Sequence, residues 1–119
     1  MDVRGKNIII TGGSLGIGKE TAKSLVDKGA NVLITGRSEK RLQQAKLYTN
    51  AKILEFDIAD FDNISNNATK CLDILDGRVD VLVNNAGIGV RRSVEELNID
   101  DFLKVFNVNV FGLSLFTKE

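Results

Sequence analysis

The chain has 119 residues, 16 of them lysine or arginine and 16 aspartate or glutamate, so its formal net charge is zero. That balance excludes the basic footprint of a nucleic-acid or anionic-membrane binder, and the length allows one domain at most. With no histidine, His-based triads and the commonest metal ligand are ruled out and no metal site is expected; a single cysteine forbids an intrachain disulfide and fits a reducing, cytoplasmic setting.

In chain order, Lys6–Thr11 reads as a first strand, since Ile8, Ile9 and Ile10 form the continuous β-branched run of a strand buried on both faces. Thr11-Gly12-Gly13-Ser14-Leu15-Gly16-Ile17-Gly18 follows and opens a helix over 16–28, whose Ile17, Thr21, Leu25 and Val26 share one face and which Gly29 closes. Glycines between a strand and a helix let the backbone approach a phosphate, and the helix N-terminus offers unpaired N–H groups to its charge. The loop is therefore expected to hold a nucleotide cofactor.

Strands over 31–35, 52–56 and 79–83 alternate with helices over 39–48, 61–75 and 101–118, with Ser38 and Asp60 as N-caps. Phe61, Ile64, Ala68, Cys71, Leu72 and Leu75 recur at helical spacing, and Gly77 stops that helix. Cys71 lies on this apolar face, so an inert core thiol is expected rather than a nucleophile. Asn63-Ile64-Ser65 and Asn67-Ala68-Thr69 fit the glycosylation pattern, which carries no meaning in a cytosolic chain. No apolar run has the length or purity of a membrane span. The last helix is apolar all round, from Phe102 through Phe106, Val110 and Phe111 to Phe116. It is expected to be buried on both sides, one on the sheet and the other on a partner subunit or further chain. The rhythm βαβαβαβα gives a parallel sheet with helices on both faces.

Three elements in order carry a resemblance: the glycine loop at 11–18, Asp57 closing the third strand, and Asn84-Asn85-Ala86-Gly87 closing the fourth. A fourth, Asn107-Val108-Asn109-Val110-Phe111-Gly112, lies in the final helix. Together they resemble the short-chain dehydrogenase/reductase family over essentially the whole chain. The resemblance implies an α/β Rossmann-type sheet of strand order 3-2-1-4. Residues 1–119 would then form one NAD(P)-binding domain that is incomplete at its C-terminus, before a fifth strand that would cover an apolar sheet edge. It implies that Gly12, Gly16 and Gly18 turn under the pyrophosphate with Ile17 packing beneath the cofactor, Thr11 opening the motif and Ser14 donating a hydroxyl to phosphate or ribose. Asp57 and Ile58 match the adenine site. Asn84, Ala86 and Gly87, with Ile88 extending them, match the segment at the nicotinamide-side ribose. Asn109 matches the asparagine that holds a water in the proton relay; the alternative is a satisfied polar group in a buried helix.

The acidic residue that binds the adenosine ribose in NAD-preferring folds is replaced here by Gly36, and Arg37 follows, whose guanidinium suits a 2′-phosphate. NADP is therefore expected over NAD, although Leu15 stands where many NADP-preferring relatives carry a second basic residue. Lys40 and Arg41 either add to the local field or are solvated helix charges. The implied reaction moves a hydride between nicotinamide and an alcohol or ketone, and relies on a serine and a helical Tyr-x-x-x-Lys that residues 1–119 lack. Tyr48-Thr49-Asn50-Ala51-Lys52 has the letters, but Asn50 is expected to end the helix between them. On this reading the chain is the cofactor-binding half of a reductase, inactive alone. The alternatives are a non-catalytic NADP(H)-binding module, half of a split enzyme completed by a second chain, and a remnant that does not fold. A homo-oligomer through helix 101–118 is one possible use of the apolar helix.

Overall fold

A computed structural model describes residues 1–119. Four parallel strands, β1 (Asn7–Thr11), β2 (Asn31–Gly36), β3 (Lys52–Glu55) and β4 (Val81–Val83), form one sheet in the order β3-β2-β1-β4. Helices α1 (Gly16–Asp27) and α2 (Glu39–Thr49) cover one face. The other face carries α3 (Ile64–Ile74) and a C-terminal helix made of α4 (Ile99–Phe106), a π-helical segment (Asn107–Gly112) and α5 (Leu113–Lys118). The backbone stays in the right-handed helical region through both junctions, so the three pieces form one continuous rod.

The period of two in β1 and β2 divides the core. Ile8, Ile10, Val32 and Ile34 point to α1 and α2, whereas Ile9 and Leu33 point to α3 and the C-terminal helix. All five residues of β1 are buried, as the β-branched run predicts for a central strand. Below the sheet, the Asn7 amide donates to the carbonyls of Leu75 (2.8 Å) and Arg78 (2.9 Å), and its oxygen accepts from Asn31 Nδ2 (2.8 Å). Asp80 Oδ2 accepts from Asn7 N (2.8 Å) while Asp80 N donates to Asn7 O (2.8 Å), so a side chain takes one bond of the pair and β4 proper starts at Val81.

Other boundaries shift for local reasons. Ser38 caps α2 as expected, accepting from Arg41 N at 3.3 Å, and Asn50 ends it in the left-handed conformation. Asp60 does not cap α3: its carboxylate accepts from Asn63 Nδ2, and Phe61–Asn63 is a 3-10 turn ahead of the helix. The final helix begins at Ile99, because Asn98 and Asp101 form a reciprocal capping box. One side of it lies on the sheet, as expected, and the other side is uncovered within this chain. Val108, Gly112 and Phe116 form a buried stripe, while Phe102, Leu103, Phe106 and Phe111 remain about half exposed. No helix is long and apolar enough to cross a membrane.

Candidate cofactor-binding site

The cleft forms at the C-terminal ends of β1, β2 and β4, where the strand order reverses direction between β1 and β4. Its floor is the glycine loop. Gly12 has φ +68°, and a Cβ there would lie 2.7 Å from Ala86 Cα, so the loop rests directly on the segment leaving β4. Thr11 is fully buried, and its Oγ1 accepts from Asn85 N and Ala86 N, both at 3.1 Å. The Asn85 amide donates to Gly12 O at 3.0 Å. A Cβ on Gly18 would collide with that same amide and come within 2.7 Å of Gly12 O. Loop, strand exit and first helical turn are thus one packed unit.

Above this floor, α1 starts without a cap: Leu15 stands at the N-cap with no side-chain hydrogen bond to the first turn. Gly16, at φ +54°, has nothing within 4 Å of where its Cβ would project. Unpaired N–H groups beside open space and a positive dipole end make a seat for a diphosphate. The residues present therefore fit the dinucleotide that the motif implies.

A cleft of about 420 Å³ runs from here past the end of β2, where Gly36, Arg37, Ser38 and Arg41 line it. Ser14 Oγ lies 3.4 Å from the place a Cβ on Gly36 would take, an ordinary van der Waals contact, so Gly36 leaves open a corner that a side chain could enter. Phe56, Asp57 and Ile58 form the next wall, with Asp57 Oδ1 accepting from Ala59 N at 2.9 Å. Asn85, Ala86, Gly87, Ile88 and Val108 complete the lining.

Of the residues expected at the site, Gly12, Ser14, Gly16, Arg37, Asp57, Ile58, Ala86 and Gly87 are thus brought together. Thr11 and Gly18 lie behind the lining, in the packing that shapes it. Ile17 is 81% exposed at the first turn of α1, outside the lining. Asn84 points away from the cleft, its Nδ2 donating to Thr117 Oγ1 at 3.1 Å. Asn109 also lies outside, exposed but fully engaged: its Oδ1 accepts from Ile88 N (2.8 Å) and its Nδ2 donates to Ile88 O (2.9 Å). Asn85, quoted in the motif without a role, and Arg41, left open between cleft and solvent, both line the cleft. No periodic signal was available for the first, because β4 ends at Val83 and Asn85 lies in the turn beyond it, its N–H bonded to Val83 O at 3.0 Å. Tyr48 and Lys52 do not meet: Tyr48 Oη donates to Glu20 Oε2 (3.1 Å) and Lys52 Nζ to Ile74 O (3.2 Å).

Residues 6–119 match the model of the short chain dehydrogenases, and the chain belongs to that family of nicotinamide-dependent oxidoreductases. It is 36% identical over 120 residues to an NADP-dependent (R)-specific alcohol dehydrogenase of Lentilactobacillus kefiri, covering 98% of this chain and 47% of that one. It is 35% identical over 118 residues to a fatty acyl-CoA reductase of Acinetobacter baylyi, covering 93% and 40%. Among solved structures, a 3-ketoacyl-(acyl-carrier-protein) reductase from Brucella melitensis complexed with NADH superposes with a TM-score of 0.88 at 31% identity, covering 98% and 49%. The chain thus spans about half the length of the relatives it matches or less.

Proposed function

We propose that the chain is the cofactor-binding part of an NADP-dependent short-chain oxidoreductase acting between an alcohol and a ketone. The observation that carries this reading is the corner at the end of β2. Gly36 leaves space where an acidic side chain would repel a 2′-phosphate, and Arg37, Ser38 and Arg41 line the same cleft as the glycine loop. The relatives differ here, one being NADP-dependent and another complexed with NADH, so the argument rests on these residues.

In this reading the first turn of α1, with Gly12, Gly16 and Gly18, seats the diphosphate, and Ser14 donates to phosphate or ribose. Thr11 fixes the loop on Asn85 and Ala86, and exposed Ile17 covers the diphosphate from outside. Asp57 and Ile58 border the adenine. Ala86, Gly87 and Ile88 border the nicotinamide-side ribose, with Asn84 and Asn109 holding that segment to the C-terminal helix. The bound cofactor supplies or accepts the hydride. Residues 1–119 hold no helical Tyr-x-x-x-Lys to move the accompanying proton, so no turnover is expected from them alone.

Calorimetric titration of the protein with NADPH and NADH tests the reading. NADPH is expected to bind at least tenfold tighter. Arg37→Ala is expected to remove ten- to a hundredfold of that, because a charge-assisted hydrogen bond contributes roughly 1.5–3 kcal/mol. Its NADH affinity should hardly change. Equal affinities in the parent protein would overturn the NADP assignment.

A further inference from the structure

The cleft has two walls that are far apart in sequence, Phe56–Ile58 and Ala86–Ile88, and both touch the same short stretch of the C-terminal helix. At one side of the π-helical segment, Gly112 packs on the first wall. A Cβ there would fall on the carbonyl oxygen of Ile58 and lie 2.8 Å from Asn107 O. Neither obstacle is a flexible side-chain end, so only a residue without a Cβ lets the helix come this close. At the other side, Asn109 holds the second wall through both hydrogen bonds to the Ile88 backbone. Val108, 6% exposed, lies between the two walls and lines the cleft itself.

The wider turn of a π-helix is what places these contacts together. Gly112 and Asn109 are three residues apart, and the segment that widens spans Asn107–Gly112. The rod cannot retreat from Ile58 without drawing the Asn109 amide away from Ile88. Nor can Ile88 be released without removing the contact that orients this turn over Ile58.

We propose that Gly112 is a positioning residue: with Asn109 it makes the π-turn a brace that sets the separation of the two cleft walls and couples them. The proposal rests on the cleft binding a nicotinamide dinucleotide only where cofactor affinity is the readout. The coupling itself is a property of the chain.

The test uses Gly112→Ala, Asn109→Ala and the double variant in the intact protein, read by residue-resolved amide exchange and NADPH titration. Gly112→Ala should speed exchange at least tenfold at Ala59 and Asp60, whose N–H groups bond to Asp57. It should do the same at Ile88 on the opposite wall, and weaken NADPH at least tenfold. Adding Asn109→Ala should weaken NADPH no further, because both changes release one brace. A folded Gly112→Ala protein with unchanged exchange at Ile88 would overturn the proposal, as would additive losses of affinity. If Gly112→Ala does not melt cooperatively, Asn109→Ala decides alone. Faster exchange at Ala59 and Asp60, on the wall it does not touch, supports the brace; unchanged exchange there refutes it. A parent protein that binds neither NADPH nor NADH would sink the functional reading and leave the exchange results standing.

Discussion

The two faces of the sheet are built differently. Against α1 and α2 two helix contacts are alanines, Ala22 and Ala45, each at most 1% exposed, beside fully buried Leu42 on Ile8, Ile10, Val32 and Ile34. Apart from Val81 and Val83 of β4, the elements there follow one another in sequence. Against α3 and the C-terminal helix the same sheet meets Ile64, Cys71, Leu75 and Phe116, and the Phe116 ring packs on Phe56 at 5.5 Å between centroids. One of those side chains, Phe116, is brought from the far end of the chain. A face of small residues tolerates no added volume, whereas a face of large ones depends on each of them.

The largest effect that bears on this contrast is expected at Phe116, which is 5% exposed. Phe116→Ala should cost about 4 kcal/mol, the range for truncating a buried aromatic, because it removes the ring contact and leaves a cavity beneath α5. Urea unfolding measures it directly. A loss under about 1 kcal/mol would mean that the C-terminal helix contributes little to the second face, and the contrast would fail. The first face should break in the opposite sense. Ala22→Leu adds volume at a site with no exposure and should cost about 2 kcal/mol by overpacking α1 against the sheet. A neutral outcome would show a cavity that the packing around Ala22 does not suggest.

This difference also governs what the sequence reveals. The first face is written in local periodicity: the isoleucine run of β1, the Ser38 cap and the Asn50 stop all emerge from neighbouring residues. The strand order β3-β2-β1-β4 follows from the rhythm of elements together with the motif resemblance. The second face depends on contacts between distant residues, which no periodicity encodes. Asn7 N bonds to the Asp80 carboxylate, a partner 73 positions away, just ahead of β4. The π-turn is invisible because Asn107–Gly112 lies within an unbroken helical pattern, and the meeting of Gly112 with distant Ile58 leaves no periodic mark. At the cleft, the glycine loop was legible because its spacing is local. The choice of Asn85 over Asn84 depended on which side of β4 faces Gly12. Arg41 was ambiguous for a similar reason, since a single residue step along α2 separates a cleft residue from exposed Lys40.

Cys71 offers the finest probe of how tightly the second face is sealed. It lies 1% exposed among Ile9, Leu33, Leu75 and Phe116, and burial pushes its thiol up to about 12 from an ordinary 9.0. Between those values the unfolded chain gives up the thiol proton and the folded chain keeps it. The unfolded state therefore binds fewer protons, and stability falls as pH rises. Well below pH 9 both states are protonated and the thiol contributes no pH dependence. By pH 10 the loss relative to neutral pH reaches about 1.4 kcal/mol, the equivalent of one unit of pKa difference. The measurement is a difference between two proteins, so every other alkaline transition cancels. Unfolding free energies of the parent and of Cys71→Ala, taken from pH 7 to 10.5, should converge as pH rises, because only the parent carries this term. The folded thiol should also resist a disulfide reagent until the protein opens, since the thiolate is the reactive form. Parallel pH profiles with prompt thiol labelling would mean that water reaches Cys71 between α3 and α5. The second face would then be open along the very seam where Phe116 is asked to close it.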